Sequence, residues 1–301
     1  MLRIIFLGTG CMIPTKYRNL LSVALIYNGD VFLFDCGENT QLQIKKAKIH
    51  LGKIKNIFIS HWHGDHVLGL PGLLQTLNNI NVVKEVNIYG PKGSKKFIKN
   101  MINSSIVNFK IKVNVIEINS KKKKTILETK DYYIYSYSLF HSTPVLGYSF
   151  VEKDKKNINK EKLEKLNIKS SPLLKELKEG KDILIDGKKL KSKEFIFTKK
   201  GKKISFIFDT IYDEKLINYA KNSDILISES TFLYSKNKED AYKNKHMTSL
   251  EAGKLAKLSN AKKLILTHFS QRYKDLSEIK LEAEKEFNNV IISEDLMEIN
   301  L

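Results

Sequence analysis

Residues 56–66 read NIFISHWHGDH. NIFIS, with its β-branched and aromatic centre, predicts a short buried strand. The six residues after it hold three histidines and an aspartate. In an extended segment residues i and i+2 point the same way, so His61 and His63 can grip one metal ion. Asp65 and His66 emerge on the following turn, where they can grip a second. A lone histidine is more often a satisfied core or surface residue than a ligand. Four ligand-type side chains in six positions reverse that balance.

Working outward, short runs rich in Ile, Val, Phe and Tyr recur at 3–7, 22–27, 31–35, 56–60, 86–89, 132–140, 145–151, 204–208, 225–228, 263–267 and 290–292. Each predicts a strand. Helical spacing falls between them at 70–79, 94–103, 214–221, 249–259 and 276–287. Thr248 and Glu251 carry the pattern of a capping box opening the 249–259 helix. Strands lead each half and helices follow, which predicts an α/β chain of two sheets with helices outside. His141 follows YYIYSYSLF, Asp209 follows KISFIF and His268 follows KKLILT, so each stands where a strand ends. In layered α/β proteins such ends converge on one edge, where sites form. Five histidines and two aspartates would then serve two metals. Imidazole and carboxylate donors without thiolates suit Zn²⁺ best, ahead of Mn²⁺ or Fe²⁺. Asp209 is the better bridge, because a carboxylate has two oxygens to share.

The 301 residues are 42% hydrophobic and 28% charged, which excludes a collagen-like or largely disordered chain. Two cysteines, Cys11 and Cys36, are too few for a disulfide framework and lack metal-type spacing. No run reaches the roughly 18 apolar residues of a membrane span. MLRIIFLGTG lacks the long apolar stretch of a signal peptide. The expectation is a soluble, cytoplasmic protein with reduced thiols. Lys and Arg number 52 against 33 Asp and Glu, a formal charge of +19, which favours a polyanion, nucleic acid before membrane. Only Arg3, Arg18 and Arg272 are arginines, so a lysine-rich background composition would give the same balance. Residues 152–194 hold 14 Lys against 9 acidic residues. Their apolar residues are sparse apart from Leu163, Leu166, Ile168, Leu173, Leu174 and Leu177. This predicts an insertion, a helical hairpin or projecting arm, within one 1–301 domain. The Lys121–Lys124 run reads as a turn between strands.

HWHGDH is the HxHxDH signature of the metallo-β-lactamase superfamily. FLGTG (6–10), PTKYRN (14–19), LFDCGE (33–38), GLPGLL (69–74), YGPKG (89–93), ESTF (229–232), HMTSLEA (246–252) and LTHFSQRY (266–273) resemble its ribonuclease Z branch. Members of that branch are zinc-dependent endoribonucleases that remove the 3′ trailer from precursor tRNA. The resemblance implies a four-layer αββα sandwich with the 152–194 segment as an inserted, tRNA-gripping arm. It implies two Zn²⁺ per subunit, one on His61, His63 and His141, the other on Asp65, His66 and His268, with Asp209 between them. A metal-bound hydroxide, oriented or deprotonated by Asp65, would attack phosphorus. His246, outside the ligand set and oriented by Glu229, would protonate the leaving 3′ oxygen. The products would be tRNA with a 3′-hydroxyl and a trailer with a 5′-phosphate. Lys16, Arg18, Asn19 and Arg272 stand in branch motifs as the expected RNA contacts, arginine's planar fork suiting phosphate. The resemblance also implies a cytoplasmic homodimer, without a membrane, in which the arm of one subunit presents tRNA to its partner. Two departures are visible: Ser171-Pro172 stands where many relatives have Gly-Pro, and Phe208 where a glycine usually precedes the bridging Asp. Lactonases, thioesterases and lactamases of the same scaffold would keep the ligands but have no use for PTKYRN or a lysine-rich arm.

Overall fold

The inner strands read as unbroken apolar runs because both of their faces are covered. In β1 (Leu2–Gly8), Leu2, Ile4 and Phe6 enter one apolar core while Ile5 and Leu7 enter another. The division continues through β2 (Ser22–Tyr27) and β3 (Asp30–Phe34), where Phe32 and Phe34 face one core and Val31 and Leu33 the other. The structure is a computed structural model that describes residues 2–120, 122–168, 171–185 and 187–301. After α1 (Thr40–Lys46) come β4 (Ile54–Phe58), α2 (Gly64–Val67), α3 (Leu70–Ile80), β5 (Glu85–Pro91), α4 (Ser94–Ile102) and β6 (Lys112–Ile118). Strands β1 to β3 form an antiparallel meander, and β3 to β6 run parallel. Helices α1, α3 and α4 cover the outer face, with Ile44, Leu73, Leu77 and Ile98 meeting Ile57 and Ile88.

The second half repeats the scheme. Strands β7 (Lys124–Glu128), β8 (Tyr132–Ser138) and β9 (Leu146–Glu152) are antiparallel. An excursion follows: β10 (Lys155–Ile158), α5 (Lys160–Lys165), α6 (Leu173–Glu179), β11 (Ile183–Ile185), β12 (Lys188–Leu190), α7 (Ser192–Phe195) and β13 (Ile196–Lys199). The chain then adds β14 (Lys203–Ile207), α8 (Lys215–Ala220), β15 (Ile225–Glu229), α9 (Tyr234–Asn244), α10 (Ser249–Leu258), β16 (Leu264–Thr267), α11 (Ser277–Glu284) and β17 (Val290–Ile292). Strand β18 (Glu298–Asn300) returns to pair with β1. Two sheets of seven strands result, ordered β18-β1-β2-β3-β4-β5-β6 and β17-β16-β15-β14-β9-β8-β7. They face each other across an aromatic core in which the rings of Phe34 and Phe206 stack at 3.8 Å. Helices α8, α10 and α11 close the far side through Leu216, Leu255 and Ile279. This is the expected αββα sandwich of the metallo-β-lactamase type.

The structure adds elements that the apolar pattern did not predict. Strands β6, β7 and β18 lie at sheet edges, where half-exposed residues break the run. The excursion also runs further than residues 152–194, since β13 returns beside β10 before β14 begins. It has a small core of its own, formed by Leu163, Ile168, Leu177, Ile183, Leu190 and Phe195. It is thus a mixed unit of helices and hairpins, with Pro172 at the start of α6. Lys169, Ser170 and Asp186 of this segment lie outside the described residues, as does Lys121 of the 121–124 run, whose Lys124 already belongs to β7. Among the described residues no helix is long and apolar enough to cross a membrane.

Candidate metal centre

Seven side chains reach one place from four strand ends in two sheets. Past β4, Ile59 O accepts from Tyr148 Oη at 2.7 Å and Ser60 O accepts from Leu146 N at 2.9 Å, so this loop is tied to the opposite sheet. His61 and His63 follow, and α2 carries Asp65 and His66. A Cβ on Gly69 would fall 2.0 Å from Gly37 O, so that glycine lets the end of α2 lie directly on the LFDCGE loop. Cys36 N completes the contact by donating to His66 O at 2.8 Å. His141 lies just past β8, Asp209 just past β14, and His268 directly after β16.

Asp209 is the hub. Its Oδ2 lies 3.5 Å from His61 Nε2 and 3.8 Å from His141 Nε2. Its Oδ1 lies 3.4 Å from His66 Nε2 and 3.2 Å from His268 Nε2. His63 Nδ1 joins the first group, 3.0 Å from His61 Nε2 and 3.4 Å from His141 Nε2. Asp65 Oδ2 joins the second, 3.5 Å from both His66 Nε2 and His268 Nε2.

Outward hydrogen bonds decide which imidazole nitrogen faces inward. His66 Nδ1 donates to Asp35 Oδ2 at 2.7 Å, and His141 Nδ1 donates to Lys245 O at 3.0 Å. Ser60 Oγ gives its only proton to Asp35, so its 3.0 Å contact with His61 Nδ1 makes the histidine the donor. Thr231 Oγ1 gives its proton to Glu229, so His268 Nδ1 donates to it at 2.9 Å. Four Nε2 atoms are thereby turned inward, towards Asp209. His66 Nε2, Asp209 Oδ1 and His268 Nε2 are buried without a hydrogen-bond partner among the described residues. Orphaned buried lone pairs are costly. Divalent cations at the two groups would satisfy them, and this nitrogen and oxygen donor set suits such ions.

Charge is arranged accordingly. Burial alone would raise the pKa of Asp65 and Asp209, but His66 and His268 around them hold both carboxyls well below their usual range, as anions. The same attraction outweighs burial and holds His66 and His268 well above the ordinary histidine value until a cation takes the place of their protons. Burial pushes His61, His63 and His141 down, towards the neutral form that binds metals. His246, between α9 and α10, turns Nδ1 to Glu229 Oε2 at 3.0 Å. Burial lowers its pKa, yet the Glu229 charge and hydrogen bond outweigh that and hold it above the ordinary histidine value. His63, Asp65, His141, Asp209 and His246 line a cavity of about 1070 Å³ that Arg272 also borders.

The expected RNA contacts divide into two kinds. Lys16 is exposed, and Arg272 sits over the Phe232 ring with Nη1 2.8 Å from Asp240. Arg18 turns inward, Nη2 donating to Tyr273 O at 2.6 Å and Ser270 O at 3.3 Å. Asn19 donates to Asp295 Oδ2 from both its backbone N and Nδ2, each at 2.7 Å. These two brace the PTKYRN loop against the 270–273 and 295 segments. Sequence reading passed over Asp35, Ser60 and Thr231, which orient the imidazoles, although Asp35 lay within the quoted LFDCGE.

Residues 2–149, just under half the chain, match the family model described as Anti-Pycsar protein Apyc1. The chain is 44% identical to a ribonuclease Z of Nanoarchaeum equitans over 90% of its own length and 84% of that protein's. It is 41% identical to a ribonuclease Z of Methanococcus maripaludis, over 100% of this chain and 98% of the other. The chain belongs to the ribonuclease Z family. The crystal structure of the short form of human tRNase Z superposes with a TM-score of 0.72 at 28% identity, covering 99% of this chain and 98% of that one. For a ribonuclease Z family member, the gathering of HxHxDH with three later strand ends is the feature on which a functional reading turns.

Proposed function

We propose that this chain is a metal-dependent endoribonuclease that cuts the 3′ trailer from precursor tRNA, leaving a 3′-hydroxyl on the tRNA and a 5′-phosphate on the trailer. One observation carries the reading: Asp209 divides its two oxygens between two imidazole groups, and at the second of them His66 Nε2, His268 Nε2 and Asp209 Oδ1 are buried and unpartnered among the described residues. His61, His63 and His141 would hold one Zn²⁺ and Asp65, His66 and His268 a second, with Asp209 shared. When bound, the ions would supply Lewis acidity to the phosphodiester and to the attacking water. Asp65, an anion at the cavity wall, would orient or deprotonate that water. His246 has Nδ1 committed to Glu229, which leaves Nε2 to hand a proton to the departing 3′ oxygen. Lys16 and Arg272 would meet RNA phosphates directly, while Arg18 and Asn19 would act through the loop they brace. The lysine-rich excursion, inserted within a single 1–301 domain, would grip tRNA as an arm. We include in the proposal a homodimer working in the cytoplasm, to be checked by sedimentation.

The direct test is a 3′-extended precursor tRNA incubated with and without chelator, followed by mapping of the product ends. A single cut with the stated termini, lost on chelation and restored by zinc, is expected. Lactone or thioester hydrolysis with intact precursor would replace the reading with another hydrolase of the same scaffold. The proton-donor role has its own signature. His246→Ala should slow RNA cleavage by about 10²–10⁴-fold. It should barely affect a nitrophenyl phosphodiester, whose leaving group departs without a proton. Equal losses on both substrates would remove the role.

A further inference from the structure

We propose that Cys11 is an eighth ligand, giving a sulfur donor to the cation that Asp65, His66 and His268 would hold. The inference rests on the metal reading above and adds an element that the sequence pattern argued against. Cys11 Sγ, an Asp65 carboxylate oxygen and a His268 imidazole nitrogen lie within 4.8 Å of one another. His268 is fully buried, its Nε2 has no hydrogen-bond partner among the described residues, and that atom is 3.5 Å from Asp65 Oδ2. The thiol therefore stands beside an unpartnered nitrogen that already points at a shared centre.

Its position is built by the backbone. Cys11 N donates to Phe269 O at 3.1 Å, Phe269 N donates to Thr9 O at 2.9 Å, and Gly10 bridges to Phe269. One residue on, Met12 N donates to Asp65 Oδ2 at 2.8 Å. The 9–12 segment is thus fastened to the residue after His268 on one side and to Asp65 itself on the other.

The ordinary role of a buried cysteine is to fill apolar space. Cys36 does this, as a member of the core between the first sheet and its helices. Among the described residues Cys11 belongs to none of the apolar cores and forms no disulfide, and it lines the cavity. Coordination would break the S–H bond, form a sulfur–metal bond and release the proton to solvent, with no change of oxidation state. A soft sulfur at this half of the centre would favour zinc over manganese.

The test loads the full chain with cobalt(II) and measures bound metal together with near-ultraviolet sulfur-to-cobalt charge-transfer absorption. The wild type should bind two equivalents and show the band; Cys11→Ser should still bind metal and lose it. Metal bound without the band overturns the Cys11 assignment and leaves the metal centre standing. A band that survives in Cys11→Ser overturns it as well. Failure to bind any cobalt overturns both readings. Should the variant not fold, zinc X-ray absorption of the wild type decides: a sulfur neighbour at about 2.3 Å supports the ligand and a shell of nitrogen and oxygen alone rejects it.

Discussion

Asp35 touches none of the candidate cation positions, yet it sets the direction of two imidazoles. It is fully buried with φ of 57°, a left-handed conformation that Asp and Asn tolerate better than most residues. Its carboxylate accepts from Ser60 N, Ser60 Oγ and His66 Nδ1, all at 2.7 Å. An Asn side chain fits the same space and backbone, but its NH₂ cannot accept. Ser60 Oγ and His66 Nδ1 both donate to Oδ2, so an NH₂ there would turn the Ser60 hydroxyl towards His61 and move the His66 proton to Nε2, and each change spoils an inward-facing nitrogen. Asp35→Asn should therefore weaken zinc binding by about 10–100-fold in chelator competition while the fold persists. Unchanged affinity would mean that Asp35 does not set the tautomers. The seven side chains that gather at the candidate centre were legible because HxHxDH packs four of them into six residues and strand ends announce the rest. Their orienting partners were not, because Asp35 reaches His66 across 31 residues by a contact that only the folded loop creates. Arg18 shows the complementary difficulty. Its motif and chemistry suggested phosphate, while its Nη2 is engaged by the carbonyls of Ser270 and Tyr273.

At the level of elements, burial decides what a sequence reveals. Strands β1, β3, β14, β15 and β16 have core on both sides, and each appeared as an apolar run. Edge strand β6 interleaves Val113, Val115 and Ile116 with Lys112, Asn114 and Glu117, and its half-exposed pattern hid it. Helix α10 was legible for another reason: Thr248 and Glu251 make the reciprocal capping box that their spacing predicts. In the excursion the apolar residues do form a core, but between short helices and two-stranded ribbons whose pairing no local pattern specifies. Its construction gives a clean excision. Ile158 and Ile196 are partners in the β10–β13 ladder, so a short Gly-Ser turn can replace residues 159–195 without disturbing either sheet of the body. The shortened chain should hydrolyse a small phosphodiester at a near wild-type rate. Its kcat/KM for precursor tRNA should fall at least about tenfold, equivalent to ~1.4 kcal/mol. Parallel loss on both substrates would show that the segment supports the fold rather than the RNA.

For the molecule as a whole, the question is whether its +19 charge is functional or a background of composition. Lysine dominates the basic residues, and lysine is also the residue that a biased composition would scatter everywhere. The distribution argues for function: 14 lysines fall in the 43 residues from 152 to 194, while Arg272 borders the cavity. Such charges neutralise phosphates and release counterions, and a protein touching six to ten phosphates loses about 10³–10⁵ in affinity between roughly 50 and 200 mM salt. Precursor tRNA binding to this chain should fall within that range, measured with the metal kept constant. Turnover of a small phosphodiester, which meets the cavity but not the lysines of the excursion, should change little over the same range. Excising residues 159–195 should then flatten the salt dependence, because the released counterions would come chiefly from phosphates held by the arm. A shortened chain that binds precursor tRNA with the full chain's salt dependence would assign RNA binding to the body and leave the arm's lysines to composition.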